Sequence, residues 1–302
     1  MSESRRGFLL GATAYGLWGL FPLYWTLLEP ARPFEILAHR IVWSLLVMAA
    51  LVVVLRRAAH LRRILRDRRT RGFLTVAAVV IAVNWGGYIW GVNNGYVVET
   101  SLGYFSNPLV TVLMGVFVLG ERLRTLQWVA LAIAFAAVVG LTLELGRPPW
   151  VALVLAFSFG TYGLAKKKAN AGAVESLSLE TLLIAPIALA YLLLLGGQGE
   201  STFGNAGLGH ALLLASTGVI TAVPLICFGA AATRVSMTTL GLLQYLAPIL
   251  QFALGVIVFR EPMPVMRWVG FALVWVALVL FTYEAVTHRR RQLRLAAEAS
   301  AV

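Results

Sequence analysis

LGYFSNPLVTVLMGVFVLGERLRTLQWVALAIAFAAVVGLTLE, residues 102–144, has a counterpart 140 residues downstream, LLQYLAPILQFALGVIVFREPMPVMRWVGFALVWVALVLFTYE at residues 242–284. Thirteen of the 43 positions are identical, with no gap. Leucine and valine could match by composition alone, but the identities include rarer residues: Pro108 with Pro248, Gly115 with Gly255, Glu121 with Glu261, Trp128 with Trp268, Thr142 with Thr282 and Glu144 with Glu284. Matches of this kind at one constant offset indicate an internal repeat.

The repeat lies in a chain that is apolar almost throughout. The 302 residues are 60% hydrophobic and 13% charged, with a mean hydropathy of +0.83. A bilayer core about 30 Å thick needs about 20 helical residues, and backbone groups in lipid must bond within the segment. We therefore predict an all-α polytopic membrane protein with ten spans at residues 8–28, 36–55, 73–92, 102–119, 126–143, 149–165, 177–195, 211–232, 240–259 and 265–286.

The two copies are predicted to have opposite orientations in the membrane. Each copy contains five spans, and because five is odd the second copy starts from the other side. The predicted division is repeat 1 at residues 1–146, repeat 2 at 147–288 and a basic cytoplasmic tail at 289–302. Inverted repeats of this kind are typical of secondary transporters.

Lysine and arginine predict the orientation, because positive loops stay in the cytoplasm. Twenty basic residues fall on the side of the amino terminus and four on the other, with Arg40 inside the second span. Both termini are therefore expected in the cytoplasm.

Several classes of function are excluded by what the sequence lacks. The single cysteine, Cys227, cannot form an intrachain disulfide, a Cys-rich zinc site or a four-cysteine iron–sulfur cluster. Neither a Walker loop nor a complete Gly-x-Gly-x-x-Gly fingerprint occurs, and no catalytic set lies within the spans. The formal charge of +12 is spread over short clusters between apolar runs, which argues against nucleic-acid binding. We expect no cofactor and no metal, no enzymatic activity, and the lipid bilayer and a small-molecule solute as partners.

Short blocks along the chain carry a family resemblance. The repeated signatures resemble the EamA-type branch of the drug/metabolite transporter (DMT) superfamily, and further blocks resemble its RarD permeases. The blocks are Leu119-Gly-Glu-Arg-Leu with Gln127-Trp128, Phe259-Arg-Glu-Pro with Trp268, Trp18-Gly-Leu-Phe-Pro-Leu-Tyr-Trp25, Glu35-Ile-Leu-Ala-His-Arg40, Asn84-Trp85, Tyr88-Ile-Trp90, Ser101-Leu-Gly-Tyr-Phe105, Asn107-Pro108 and Leu243-Gln-Tyr-Leu-Ala-Pro248. The resemblance implies ten helices, two EamA repeats, a plasma (inner) membrane location and permease activity. The label "chloramphenicol-sensitive" that RarD proteins carry suggests drug export.

Two polar stripes are candidates for the transport path. Tyr104, Asn107 and Thr111 share one face of span four. The corresponding stripe in span nine consists of Gln244 and Gln251, with Tyr245 beside them. Pro108 and Pro248 remove the hydrogen bonds to the carbonyls four residues earlier, which predicts kinks. Singly, each residue could be an ordinary interhelical contact; as paired stripes they predict a central cavity.

Aromatic residues form a second candidate set. Tyr15 and Trp18 share a face of span one with Pro22, and Asn84, Trp85 and Tyr88 lie together in span three. Such walls suit planar, amphipathic or cationic organic solutes. Aromatic residues near span ends are instead assigned to an interfacial belt: Trp25, Trp128, Trp150 and Trp268.

Charged residues inside the spans leave two interpretations open. Arg40 is placed about one turn inside span two, and it corresponds by the 140-residue offset to Glu180, near the opposite membrane face. Both could gate or bind an anion, or both could snorkel to the interface. His39 could couple a proton or be a satisfied interhelical histidine.

Two glutamates and four glycines are assigned structural roles. Glu121 and Glu261 are expected to accept amides where the next helix starts. Gly7 with Gly11, and Gly91 with Gly95, predict close contact between helices.

A transporter working by alternating access fits these patterns best. A facilitative channel, an exporter of amino acids or other metabolites, and a membrane structural protein remain as alternatives.

Overall fold

The computed structural model describes residues 2–94, 97–145 and 148–258, and isolated residues between 265 and 287. The tenth predicted span is described only at those isolated residues, and Glu261 and the 289–302 tail lie outside the described residues. Within the described ranges the chain is helical: α1 (Glu3–Trp25), a 3-10 turn (Thr26–Leu28), α2 (Pro33–Val54), α3 (Ala58–Arg66), α4 (Arg68–Asn93), α5 (Val97–Leu119), α6 (Thr125–Leu145), α7 (Trp150–Ala169), α8 (Ala173–Gly197), α9 (Leu208–Ala232), α10 (Met237–Gln244) and α11 (Leu246–Ile257).

Four helices of the described ranges are long and apolar enough to cross a membrane: α2, residues 68–88 of α4, α8 and α9. Shorter apolar segments occupy residues 103–119 of α5 and 125–140 of α6. Large apolar side chains on these helices point away from the protein, among them Val53 and Ile187, each 74% exposed. An apolar outer surface of this kind suits contact with lipid. The protein is an integral membrane protein.

The ninth predicted span differs from the expectation of one helix. It consists of α10 and α11, which meet at Tyr245. Pro248 has no N–H to donate to the carbonyl of Gln244, so the regular helical bonding is interrupted there.

A short helix, α3, lies in the arginine-rich connection where no helix was predicted. Its Ile64 and Leu65 pack with Leu74 at the start of α4. Asp67 separates the two helices and accepts hydrogen bonds from the Thr70 hydroxyl and the Arg69 N–H. These bonds hold the pKa of the Asp67 carboxyl below its ordinary value.

Packing between the two repeats dominates the fold. Helix α1 packs on α9 and α11, α2 on α8 and α9, α4 on α7 and α8, and α5 on α7 and α10. These contacts form equivalent pairs when the repeats are exchanged: α1–α9 corresponds to α4–α7, α1–α11 to α5–α7, and α2–α9 to α4–α8. The pairs α2–α8 and α5–α10 correspond to themselves. This is the pattern that a pseudo-two-fold axis produces.

The directions of the helices establish that the axis inverts the repeats. Where the residue numbers of successive contacts rise along both helices, the helices are parallel, and where they rise along one and fall along the other, the helices are antiparallel. By this criterion α1 is parallel to α10 and α11, α5 is antiparallel to α10, and α5 is parallel to α7. The first helix of repeat 2, α7, therefore runs opposite to the first helix of repeat 1, α1. The contacts that fix these directions are Gly11–Leu243 and Gly19–Leu250, Thr111–Gln244 and Gly115–Met237, and Gly103–Leu155 and Gly160–Val110.

Glycines permit the closest of these contacts. A Cβ on Gly7 would lie 2.6 Å from Arg234 Cβ, and one on Gly11 would lie 2.6 Å from Leu243 Cδ1. This confirms the prediction of close packing for the first glycine pair, whereas Gly95 of the second pair lies outside the described residues. A Cβ on Gly218 would meet the Trp43 backbone at 2.5 Å, so α2 and α9 also touch almost backbone to backbone.

Candidate solute-binding cavity

A cavity of about 440 Å³ lies between the two repeats. Helices α1, α2, α4 and α5 of repeat 1 form most of its wall, and α7, α9, α10 and α11 of repeat 2 complete it. A volume in this range is typical of small-molecule sites. The lining residues are Tyr15, Trp18, Phe21, Pro22, Trp25, Pro33, Ile36, Leu37, Arg40, Ile81, Asn84, Trp85, Tyr88, Tyr104, Asn107, Phe159, Leu225, Gln244, Ala247, Pro248 and Gln251.

Most of the predicted path residues line this one cavity. They are Tyr15, Trp18, Asn84, Trp85, Tyr88, Tyr104, Asn107, Gln244 and Gln251, joined by Pro248 and Arg40. Residues of both polar stripes thus contribute to the wall of one cavity between the repeats.

Within the described part of the chain, the cavity reaches toward one side of the membrane. Its wall includes Trp25 at the end of α1 and Pro33 at the start of α2. Toward the amino terminus of α1 it ends at Tyr15, and from Gly7 to Ala14 the helix packs on α9 and α10. That packed length corresponds to about 10 Å of helix. Beyond this packed segment lies a second depression of about 470 Å³. Residues at the start of α1, the end of α2, the start of α8 and the end of α9 line it.

Amide side chains tie the cavity wall together. Asn84 donates to the Leu155 carbonyl (2.9 Å) and to the Ser158 hydroxyl (3.0 Å). Gln244 exchanges hydrogen bonds with Thr111, the Nε2 atom donating at 3.2 Å and the Oε1 atom accepting at 3.3 Å. Thr111 is itself 1% exposed and lies behind Gln244. It supports the cavity wall without lining it.

Gln251 compensates for a proline on the neighbouring helix. Pro22 lacks the N–H that would bond to the Trp18 carbonyl within α1. The Gln251 Nε2 atom donates to that carbonyl instead, at 3.1 Å. A side chain of one repeat thus satisfies the backbone of the other at the cavity wall.

Aromatic rings form the apolar part of the wall. Trp18 contacts Tyr15, Phe159 and Phe228, with ring centroids 5.2, 6.0 and 5.7 Å away. Tyr88 and Tyr104 meet edge to face at 5.7 Å. These rings provide a broad surface for an apolar or aromatic solute.

The positions of one aromatic and one charged residue differ from those predicted. Trp25, assigned to the interfacial belt, lines the cavity, because its helix ends beside the cavity opening. Arg40 lies seven residues after the start of α2 at Pro33, about two turns deep rather than one. Its Nε atom donates to Thr221 Oγ1 at 3.0 Å, and its guanidinium carbon lies 4.8 Å from the Trp25 ring and 5.1 Å from the Trp85 ring.

Glu180 and Arg40 line one small cavity of about 10 Å³ between α8 and α2. Each lies seven residues after the first residue of its helix, Ala173 in α8 and Pro33 in α2, and because these helices start on opposite sides the two residues lie nearer to opposite ends of the bundle. The Glu180 carboxylate accepts hydrogen bonds from Lys166 Nζ at 2.7 Å and from the Tyr162 hydroxyl at 3.1 Å. Both side chains of the Lys166–Glu180 pair are 2% exposed. Sequence reasoning missed Lys166, because three consecutive lysines were read as a cytoplasmic loop.

Besides Thr111 and Glu180, three more predicted residues lie outside the cavity. Tyr245, 3% exposed, packs with Leu109 and Val112 of α5 on the far side of the wall. Pro108 does not line the cavity, and its carbonyl faces the close approach of Gly241 instead.

His39 is the third. Its ring stacks on Phe203, 4.9 Å away, and its Nδ1 atom accepts from Trp43 Nε1 at 3.2 Å. Proton coupling through His39 stays a prediction.

Glu121 accepts backbone amides, but from a different helix than expected. Its carboxylate binds the N–H groups of Met237 (2.7 Å) and Thr238 (2.9 Å) at the start of α10. The next helix in the chain is α6, so the expected neighbour was wrong. The contact joins the end of α5 to the start of α10 on the closed side of the cavity.

Known proteins place the chain in a family. A family model described as "EamA-like transporter family" matches residues 5–143 and again residues 148–283. The chain belongs to the EamA-like transporter family. The drug/metabolite transporter superfamily includes this family, and membership confirms the resemblance inferred from the short blocks.

Relatives of this EamA-family chain match along almost its whole length. "Protein RarD" of Streptomyces exfoliatus is 58% identical over 302 residues, which cover 100% of this chain and 96% of the relative. "Protein RarD" of Escherichia coli is 40% identical, covering 96% and 98%. "Chloramphenicol-sensitive protein RarD" of Pseudomonas aeruginosa is 32% identical, covering 97% and 99%. A crystal structure of another protein, 20% identical, superposes with a TM-score of 0.70 over 92% of this chain and 98% of that one, which supports the fold.

Proposed function

We propose that this EamA-family protein is a secondary transporter, not an enzyme, and that it carries small organic solutes through the cavity by alternating access. The observation that carries the proposal is a cavity built from both repeats, which reaches one side of the membrane and is closed toward the other. The equivalence of the helix pairs under exchange of the repeats supports it. In alternating access, each repeat takes up the conformation that the other repeat had before. The closed side of the cavity then opens and the open side closes.

The location and orientation belong to the same proposal. We place the protein in the plasma membrane with both termini in the cytoplasm, because twenty basic residues fall on the side of the amino terminus. In that orientation the cavity faces the outside of the cell, and the packed segment from Gly7 to Ala14 closes the cytoplasmic side.

The cavity wall indicates the kind of solute. Aromatic rings and a few amide groups suit amphipathic organic molecules of drug or metabolite size. The name of the Pseudomonas aeruginosa relative refers to chloramphenicol. Chloramphenicol therefore belongs in the first panel of solutes, next to amino acids and other metabolites.

Reconstitution tests the proposal. The purified chain in liposomes, assayed with radiolabelled solutes, is expected to give saturable flux and counterflow for at least one of them. Tyr104→Leu and Gln244→Leu are expected to abolish that flux at normal membrane expression, because both line the cavity. Phe117→Leu is the control: it also replaces an aromatic residue of α5, but Phe117 is 76% exposed on the outer surface.

The outcomes separate the competing functions. Flux that rises linearly with solute concentration, without counterflow, indicates a channel. Flux unchanged by Tyr104→Leu and Gln244→Leu contradicts the assignment of the path. No flux for any solute in the panel contradicts the proposal of a transporter for these solute classes.

A further inference from the structure

Among the described residues, one charged side chain faces the cavity, and no described carboxylate pairs with it. We infer that Arg40 binds the carboxylate of the transported solute, so that the solutes are small organic acids with an apolar or aromatic body. This inference rests on the proposed transport function and adds the chemical class of the solute. Of the described residues that line the cavity, Arg40 alone is charged.

The Arg40 guanidinium has N–H donors that are available to a ligand. Its Nε atom donates to Thr221 Oγ1 at 3.0 Å, and the described residues provide no carboxylate within 4.0 Å of the group. Glu180 shares the small adjoining cavity with Arg40, but its carboxylate is bound by Lys166 and Tyr162. The two Nη groups of Arg40 match the two oxygens of a carboxylate, which arginine binds in a bidentate manner.

The surroundings stabilise the positive charge of Arg40 inside the membrane without neutralising it, so an anion can still bind there. The rings of Trp25 and Trp85 lie 4.8 and 5.1 Å from the guanidinium carbon, which is the range of cation–π stabilisation. While the cavity is open, water can solvate the group. When the cavity closes around a solute, water is displaced, and a charge without a partner becomes costly. A solute carboxylate removes that cost, an amide removes less of it, and an ammonium group adds to it.

The rest of the wall indicates the rest of the solute. The Trp18 and Phe159 rings form the apolar part of the wall, 6.0 Å apart. The complementary solute carries a carboxylate and an apolar or aromatic portion.

A set of three matched probes tests the inference: 3-phenylpropionate, its neutral amide, and the cation 3-phenylpropylamine. Binding to the purified full chain is measured by tryptophan fluorescence, and counterflow is measured in liposomes. The wild type is expected to bind the carboxylate about tenfold or more tightly than the amide. Arg40→Gln is expected to remove that preference while leaving amide binding nearly unchanged. Arg40→Lys is expected to retain part of it.

Arg32→Gln is the matched control, because it removes an arginine from the same end of α2. Arg32 is exposed and pairs with Glu200 at 2.6 Å, outside the cavity. Size-exclusion profiles and unfolding temperatures establish that each variant is folded.

Each result has a distinct meaning. If folded Arg40→Gln keeps the same carboxylate-to-amide ratio, or if the wild type prefers the amide or the amine, the inference is wrong while transport can still hold. If the carboxylate binds through Arg40 but no solute shows saturable flux, the transport function is wrong and the binding site stands. If none of the three probes binds and none is transported, the inference is wrong as well.

Discussion

The buried pair Lys166–Glu180 illustrates how much one side chain can determine inside a membrane protein. Both members are 2% exposed, so neither charge has water as an alternative partner. Replacing one member leaves the other as a buried charge without a partner. Replacing both with apolar residues leaves no buried charge, only a site that is less well packed. The stability of the protein should therefore depend on the pair as a unit.

Glu180→Gln is expected to destabilise the protein by about 3 kcal/mol, because it leaves the Lys166 ammonium unpaired. The double change Lys166→Met with Glu180→Leu is expected to recover at least half of that loss. Thermal unfolding in detergent measures both. Glu3→Gln serves as control, since Glu3 is 70% exposed in its ion pair with Arg234 and such pairs contribute little. A double variant as unstable as the single one contradicts the argument.

At the level of residues, the sequence identified the cavity better than it identified partners. Tyr104 and Gln244 could be predicted as cavity residues, because helical spacing and the repeat offset place them on matching faces. The counter-ion Lys166, the helix whose amides bind Glu121, and the position of the Trp25 and Trp85 rings next to Arg40 could not. Each depends on which helix packs next to which, and spacing along the chain carries no such information.

At the level of helices, proline positions and side-chain amides act together. Pro22 leaves the Trp18 carbonyl of α1 without its helical donor, and Gln251 of α11 supplies the bond. The sequence predicted lost helical bonds at Pro108 and Pro248 but not at Pro22, and the residue that compensates for Pro22 is 229 positions away in the chain. The same limit explains the ninth span: apolar length predicted one helix, and local bonding around Pro248 divided it into two.

A double-mutant cycle tests this compensation. Gln251→Leu is expected to cost about 1 kcal/mol of stability, because it leaves the Trp18 carbonyl unsatisfied. Pro22→Ala restores an N–H that can bond to the same carbonyl within α1, so in that background Gln251→Leu should cost much less. Unfolding temperatures of the four proteins in detergent give the coupling. Equal costs in both backgrounds would falsify the compensation.

At the level of the whole molecule, the sequence predicted the inverted repeat but not its consequence for packing. A 140-residue offset and five spans per copy are enough to predict two opposed units. They do not reveal that α1, α2, α4 and α5 pack mainly on helices of the other unit, as α5 does on α7 and α10. That interleaving places the cavity between the repeats, and any relative movement of the repeats must change the contacts that close one side of it.

Glu121 is the contact at which this movement can be tested. Its carboxylate holds the start of α10 on the closed side, through Met237 and Thr238. Glu121→Gln keeps the size of the side chain but turns an acceptor oxygen into a donor, which opposes those N–H groups. We expect the closed side to open more often. A cysteine at Ala247 in a Cys227→Ala background should then react several times faster with an impermeant maleimide applied from the α1 amino-terminal side. Asp67→Asn is the control, because Asp67 lies at the start of α4, away from α10. Unchanged sidedness of labelling in folded Glu121→Gln would show that this contact does not control access.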